Sequence, residues 1–296
     1  MKRTRLFIDL HTHSNASDGT DAPTAVVRKA AEAGLAAVAL TDHDTLAGLD
    51  EAETEAASLD IRFIRGIEIA VKDDFGELHI LGLWMPPKPS DRMLEALDSL
   101  QNNRRLRNER MLGALDAMGM PLTMAEVAEF SGGGEIGRPH IALAMKDKGY
   151  VLERREAFEK YIGYQKDAYV PRILMTPEQG IGLLRDEGAL VVLAHPCLQP
   201  SMTGRRLENV LSEFKQYGLA AIEAYHSSHS PESVRLCVEL AAKYELLLSG
   251  GSDYHGRNKE GIAIGSGLGG NVRIPVHVLE KLERLLADRP KGQTGQ

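Results

Sequence analysis

The chain has 296 residues, 43% of them hydrophobic, and a formal net charge of −7. That is enough apolar material for one large domain, or a large domain carrying a smaller one, and it excludes compositional disorder. The acidic balance excludes a bulk electrostatic coat on double-stranded DNA or an anionic membrane, so any phosphate must be met by local positive charge. Cys197 and Cys237 supply neither a C-x-x-C metal pair nor a disulfide framework, and the start MKRTRLFIDLH lacks the apolar core of a signal peptide. With no run of about 18 apolar residues either, the expectation is a cytoplasmic protein, a monomer or a small homo-oligomer.

In chain order, the first apolar run is RLFIDL (5–10), read as a strand. TDAPTAVVRKAAEAG follows as a helix, with Asp21 near its start, Pro23 in its first turn and Gly34 past its end. AAVAL (36–40) is the next strand, IRFIRGIEIAV (61–71) reads as two short strands, and LHILGL (78–83) as another. From 86 to 170 the rhythm breaks into PPKPS, a long polar helix over 91–118, a glycine-rich turn SGGGEIG (131–137) and two further helical segments. This stretch holds 13 basic and 13 acidic residues, so the net charge lies outside it, which suits a helical cap over an active site. Strands return at ALVVLA (189–194), LAAIEAY (219–225) and ELLLSG (245–250), with a helix started by Ser230 and Pro231 between the last two. The βαβα alternation predicts an α/β fold with a mainly parallel sheet covered by helices.

The strand ends carry the chemistry. IDLHTH gives Asp9, His11 and His13; ALTDHD gives Asp42, His43 and Asp44; GIEI gives Glu68; ELHIL gives His79; VLAHP gives His195. AIEAYHSSH adds Glu223, His226 and His229, and GSDYH adds Asp253 and His255. Eight of the ten histidines fall at or beside these ends, the edge on which parallel α/β folds build their sites. His11 and His13 share one face of an extended strand, and such pairs with carboxylates suit zinc, manganese or iron bound through nitrogen and oxygen. Taken singly, His79 fits a core histidine and TDHD a helix cap. Together they would gather unpaired charge at a cost of several kcal/mol unless a cation compensates.

The ordered set HTHSNASDG, TDHD, GIE, AHP and GSDYHG resembles the polymerase-and-histidinol-phosphatase (PHP) phosphoesterases across essentially the whole chain. The resemblance implies a distorted seven-stranded β/α barrel from 1–88 and 168–287, a mainly helical insertion over 89–167 and a loose tail over 288–296. It also implies two or three divalent ions, manganese, iron or zinc. The first would be held by His11, His13, Glu68 and Asp253, the second by Glu68, His79 and His195, the third by Asp18, His43 and His255. Gly19 would let the loop turn so that Asp18 comes back toward the metals. Asp9 would face the opposite side or support a ligand. The implied reaction is hydrolysis of a phosphate ester by a hydroxide held between metals. His229 or His226 would give the leaving group its proton or bind phosphate, with Glu223 beside them on the substrate side.

In the insertion, GRPH is similar to the SRTH-like element of members whose site is capped, which implies substrate contacts from Arg138 and His140. YIGYQKDAYVPR adds Lys166 and Arg172. Such an insertion looks like that of the 3′,5′-nucleotide bisphosphate phosphatases and the 5′-to-3′ exoribonucleases of short RNA. The expected partner is a small phosphorylated nucleotide or a short oligonucleotide, because aromatics, at 5%, are too sparse for a long stacking track. A histidinol-phosphate phosphatase and a non-catalytic phosphate- or nucleotide-binding module are the other readings.

Overall fold

A computed structural model describes residues 5–73, 76–131, 134–198, 202 and 204–289. The tail expected over 288–296 lies outside these residues from 290 on, as do Gly132 and Gly133 of the glycine-rich turn. The barrel elements open with β1 (Phe7–Asp9), α1 (Pro23–Glu32), β2 (Ala37–Leu40), α2 (Leu49–Ser58), β3 (Arg62–Asp73) and β4 (Gly76–Leu83). The insertion follows with α3 (Asp91–Ala117), α4 (Met124–Ala128), α5 (Arg138–Asp147) and α6 (Arg154–Ala157). The chain returns through α7 (Pro177–Asp186), β5 (Leu190–Leu193), α8 (Arg205–Tyr217), β6 (Ala221–His226), α9 (Pro231–Lys243) and β7 (Leu247–Gly251). It ends with the short β8 (Ile262–Ala263), β9 (Gly267–Leu268) and β10 (Ile274–Pro275), and then α10 (Val276–Ala287). Ser230 caps α9 as the sequence predicts, accepting the Ser233 N–H at 3.2 Å. Asp21 does not cap α1, whose N-cap is Ala22; it takes Lys29 and the Tyr254 hydroxyl instead. Among the described residues, no helix is long and apolar enough to cross a membrane.

The sheet runs β10-β1-β2-β3-β4-β5-β6-β7 and closes on itself almost completely, with helices around it. At the seam the Leu10 N–H donates to the Gly250 carbonyl at 3.1 Å, and the Asp253 N–H to the His11 carbonyl at 2.9 Å. Gly251 permits this approach, since a Cβ there would stand 2.3 Å from the His11 Cβ. The sheet has eight strands where seven were expected, because the two-residue β10 adds antiparallel to β1, and two further features depart from the sequence reading. First, 61–71 does not hold two strands: 62–71 belongs to the single 12-residue strand β3. Gly66 within it is not a break; a Cβ there would sit 2.7 Å from Thr41 Cγ2, so β3 lies tight against the end of β2. Second, β4 is antiparallel to both β3 and β5, so its N-terminal half reaches the face at which the parallel strands end, and His79 arrives there from that half.

The core divides by layer. Ile8, Leu10, Ala39, Ile64, Leu81 and Val192 fill the barrel, and Val278, Leu279 and Leu282 of α10 join them. The insertion packs a core of its own, including Met111, Leu115, Ile141, Met145 and Ile162. Helix α3 belongs to both bodies, because Met93, Leu97 and Leu100 in its first half pack with Ile80, Leu184 and Val191 of the barrel. A polar joint adds to this: buried Asp44 accepts from Arg104 of α3 and, at 2.6 Å, from Arg172 after the insertion. Burial would raise the Asp44 carboxyl, yet the two arginines hold it below its ordinary range.

Leu282→Ala should cost about 2–5 kcal/mol in urea unfolding, the range for a fully buried leucine in a packed core. Asp44→Asn, which leaves Arg104 buried without its charge partner, should cost about 3–5 kcal/mol by the same measurement. A loss below about 1 kcal/mol would show that Asp44 does not hold the two bodies together.

Candidate active site

The mouth of the barrel is shaped by carboxylates that bind backbone. Asp9 is fully buried and accepts N–H groups from His11 at 3.3 Å, Ser252 at 2.9 Å and Gly265 at 2.7 Å. It therefore ties the end of β1 to the end of β7, which is its supporting role. Asp42 does the same for the loop after His13, accepting the Ser14 N–H at 2.8 Å and the Ser14 and Ser17 hydroxyls. Gly19 is needed in that loop, though not for a positive φ: a Cβ would stand 2.7 Å from the His13 carbonyl oxygen. The fold-back sets Asp18 3.2 Å from His255 Nε2 and 3.8 Å from His13 Nδ1. Asp44, His195 and Asp253 hold positive φ values of 53°, 28° and 55°, so three strand exits carry strained backbone.

Glu68 stands at the centre. Its Oε1 lies 2.8 Å from His79 Nδ1 and 3.0 Å from His195 Nε2. Its Oε2 lies 3.1 Å from His13 Nε2, 3.2 Å from His43 Nδ1 and 3.4 Å from His11 Nε2. Four groups can each converge on a cation: His13 with Asp18, His43 and His255; His11 with Glu68 and His195; His11 with His13 and Asp253; and His43 with Glu68 and His79. All nine residues expected as ligands are thus brought together, although His13 reaches the Asp18 group and His43 the His79 group as well.

The donor set fits divalent ions. Two nitrogens bound to one zinc at about 2.0–2.1 Å stand about 3.3 Å apart in tetrahedral geometry. His11 Nε2 and His13 Nε2 are 3.1 Å apart. Glu68 Oε2, His13 Nδ1 and His43 Nδ1 are buried without a hydrogen-bond partner, which folded proteins rarely tolerate unless something else satisfies them. Burial, followed by repulsion from His255, pushes the His13 imidazole down to about 3, and burial takes His195 to about 4, so both offer lone pairs at neutral pH. Burial would lift Glu68, but His43, His79 and His11 hold it well below the usual carboxylate range. At His11 burial opposes a charge, yet Glu223, Glu68 and Asp253 outweigh it, so positive charge is favoured there.

Around these groups the orientation of each ring is fixed. Glu223 accepts from His11 Nδ1 at 3.0 Å and from the His195 backbone N–H at 2.7 Å, which turns Nε2 of His11 inward. Glu223 is fully buried and lies behind the ligands, away from the substrate side expected for it. His226 takes the Ser228 N–H on Nδ1 at 3.1 Å and directs Nε2 at Asp253 Oδ2, also at 3.1 Å, so both its nitrogens are committed. His229 donates Nδ1–H to the Ala224 carbonyl at 2.9 Å and keeps a buried, unpartnered Nε2. His140 accepts the Gly137 N–H on Nδ1 at 3.1 Å, leaving its own Nε2 unpartnered.

Beside His79, on Asp44 and Glu77, lies an arginine group that the sequence showed only in part. Arg104 and Arg172 meet on Asp44, and Arg172 also reaches Glu77 at 3.0 Å. Arg107 is buried, touches Met111 Sδ at 3.3 Å, and is pushed down to about 9 by burial and then by Arg172, Arg104 and Arg138. Arg138 stacks 5.6 Å from the Tyr169 ring centre and 5.9 Å from that of Phe158. Lys166 is exposed on the turn after Gly163. Arg104, Arg107 and Lys259, which pairs with Asp253, had no distinguishing signal, because arginines and lysines of a polar segment read as a solvated face.

Residues 9–168 match the PHP domain. The chain is 33% identical over 259 residues to a 3′,5′-nucleoside bisphosphate phosphatase of Chromobacterium violaceum, covering 87% of this chain and 90% of that protein. It is 32% identical over 247 residues to a 5′-3′ exoribonuclease of Haemophilus influenzae, covering 83% and 89%. A solved structure from Bifidobacterium adolescentis, assigned to the metal-dependent phosphoesterases, superposes with a TM-score of 0.82 at 29% identity, over 93% of this chain and 94% of that one. Likeness of sequence and likeness of fold run along the same, nearly complete length, and this chain belongs to the PHP domain family of metal-dependent phosphoesterases.

Proposed function

We propose that this chain removes a phosphate from a small nucleotide carrying more than one, a 3′,5′-bisphosphonucleoside being the leading candidate. One observation carries the reading: Glu77, 3.4 Å from His79 at the edge of the cation-binding groups, is held down, against burial, by His79, Arg172 and Arg138, so guanidinium charge stands beside those groups, and neither Arg107 nor Arg138 has a carboxylate ion-pair partner among the described residues. A substrate with two phosphates matches both halves, one phosphate at the carboxylate and imidazole side and one at the guanidinium side. The bisphosphate phosphatase of Chromobacterium violaceum, with its even coverage of both chains, supports the same choice.

His11, His13, Asp253, Glu68, His79, His195, Asp18, His43 and His255 are the residues that would hold the metals. Divalent ions there supply Lewis acidity toward the phosphoryl oxygens and the attacking water. The chain's own groups do the positioning. Glu223 and His226 fix the faces of His11 and Asp253, while the His140 Nε2–H is a buried donor for a phosphoryl oxygen. His229, lowered mainly by burial, presents a neutral Nε2 that accepts a hydrogen bond from a substrate hydroxyl or from water. Proton donation to the leaving group is then assigned to water, because His226 has both nitrogens engaged.

A 5′-to-3′ exoribonuclease acting on short RNA is the second reading, favoured by the likeness to the Haemophilus influenzae enzyme. Phosphate release from 3′,5′-bisphosphonucleosides should exceed that from p-nitrophenyl phosphate, histidinol phosphate and short 5′-phosphorylated RNA. Stepwise nucleoside 5′-monophosphates from RNA would establish the second reading, and a preference for histidinol phosphate would end both. Turnover of none of these would leave a binding module.

Elemental analysis of protein purified without chelator should find manganese, iron or zinc, and Glu68→Gln should lose both metal and activity while remaining folded by circular dichroism. Arg138→Ala should raise KM for a bisphosphonucleoside about 10- to 100-fold, the equivalent of one charge-assisted hydrogen bond, and change p-nitrophenyl phosphate turnover less than about threefold.

A further inference from the structure

Beyond β5 the chain delivers His195 and leaves through the turn Pro196–Leu198, which contains Cys197. Cys197 is half-buried, and its Sγ lies 3.8 Å from that of Cys237, which is fully buried on α9. Both are free thiols. The backbone at His195 is already under constraint, with its φ of 28° in a region that non-glycine residues seldom occupy. Two hydrogen bonds hold it there: its N–H donates to Glu223 at 2.7 Å, and its carbonyl accepts the Leu198 N–H at 3.0 Å. The imidazole thus fixed stands 3.0 Å from Glu68 Oε1.

A disulfide places its sulfurs about 2.05 Å apart, so these two must close a gap of somewhat under about 2 Å. Cys237 lies within the 13-residue helix α9 and packs in the main core with Leu240 and Ile222, whereas Cys197 sits in a three-residue turn. The turn is the part that moves. We propose that Cys197 and Cys237 form a reversible redox modification site, whose disulfide pulls the turn toward α9 and draws His195 off Glu68.

A peroxide is the oxidant class required. The more exposed Cys197 sulfur attacks the peroxide, the O–O bond breaks, an S–O bond forms, and the departing oxygen leaves as water. The Cys237 sulfur, giving up its proton, then displaces that oxygen as a second water and the S–S bond forms. Two thiols lose two electrons, which reduce one hydrogen peroxide to two waters. A dithiol reverses the step by exchange.

The test uses the full chain loaded with Zn²⁺, which has no redox chemistry of its own, before and after hydrogen peroxide. Oxidised protein should lose about 2 Da, resist alkylation at both cysteines after denaturation, yield a linked 197–237 peptide pair and revert with dithiothreitol. It should also release Zn²⁺ to a chelator about tenfold faster, the scale on which loss of a supporting contact weakens a metal site. Cys197→Ser should show neither change; Cys237→Ala, with its fold checked by thermal melting, should match it. Sulfinic acid on Cys197 without linkage, thiols that stay alkylatable, or a linked protein that keeps its metal would each overturn the proposal. The release arm rests on His195 as a metal ligand. Reduced protein that never holds Zn²⁺ would refute that ligand reading, and the linkage arm would then decide the redox site alone.

Discussion

Glu68 is a carboxylate out of reach of bulk water, with five imidazoles within 3.4 Å of its two oxygens. A charge so placed is tolerable only in a surrounding built for it, and the strand ends serve that requirement. β3 has to be long enough to carry Glu68 past the end of β2, where its N–H and carbonyl bond to Asp42 and Asp44. β1 has to meet β7 closely enough to bring His11 and His13 beside Asp253, which is why Gly251 lies against His11. The strain at Asp44, His195 and Asp253 follows from the same demand, since side chains from several strands must point at one small volume.

The second charge system is the answer to the first. An acidic chain repels a phosphorylated molecule at long range, and only a local concentration of guanidinium groups can reverse that near the mouth. Arginine is suited to the task because it stays charged when half-buried and offers two parallel donors. Asp44 belongs to both systems: its backbone N–H bonds to the Glu68 carbonyl at 2.9 Å, and its carboxylate gathers Arg104 and Arg172. Position of the arginines and position of Glu68 are thereby set by one residue.

Much of this was legible in the chain itself. Histidines and carboxylates at strand ends announce themselves because a barrel interior otherwise excludes them, and HTH, TDHD and SDYH mark three exits without any alignment. Apolar periodicity located the strands, but it carries no information on direction. The reversal of β4 therefore leaves no mark in that pattern, although Gly76 at the start of β4 is a hairpin signal. The segment 61–71 reads as two strands although 62–71 lies in one, because a glycine inside a strand, here Gly66, has the same letter whether the chain stops or a neighbour presses close. The arginines escaped for a different reason. Their meaning depends on Asp44, which lies 60 residues from Arg104 and 128 from Arg172, and pairing across such separations leaves no local trace. The two cysteines, 40 positions apart, were dismissed on spacing alone and meet only in space.

Val278, Leu279 and Leu282 of helix α10 share one apolar cluster with Ile8, Leu10, Leu81 and Val192, so the barrel behind Glu68 is packed solid. The mouth at Glu68 is consequently a cul-de-sac. Whatever enters has to back out past the insertion, and a reaction that splits one molecule into two must discharge both pieces through the doorway that admitted the whole. The order in which the pieces clear that doorway, rather than the bond-breaking itself, then becomes a natural place for turnover to queue.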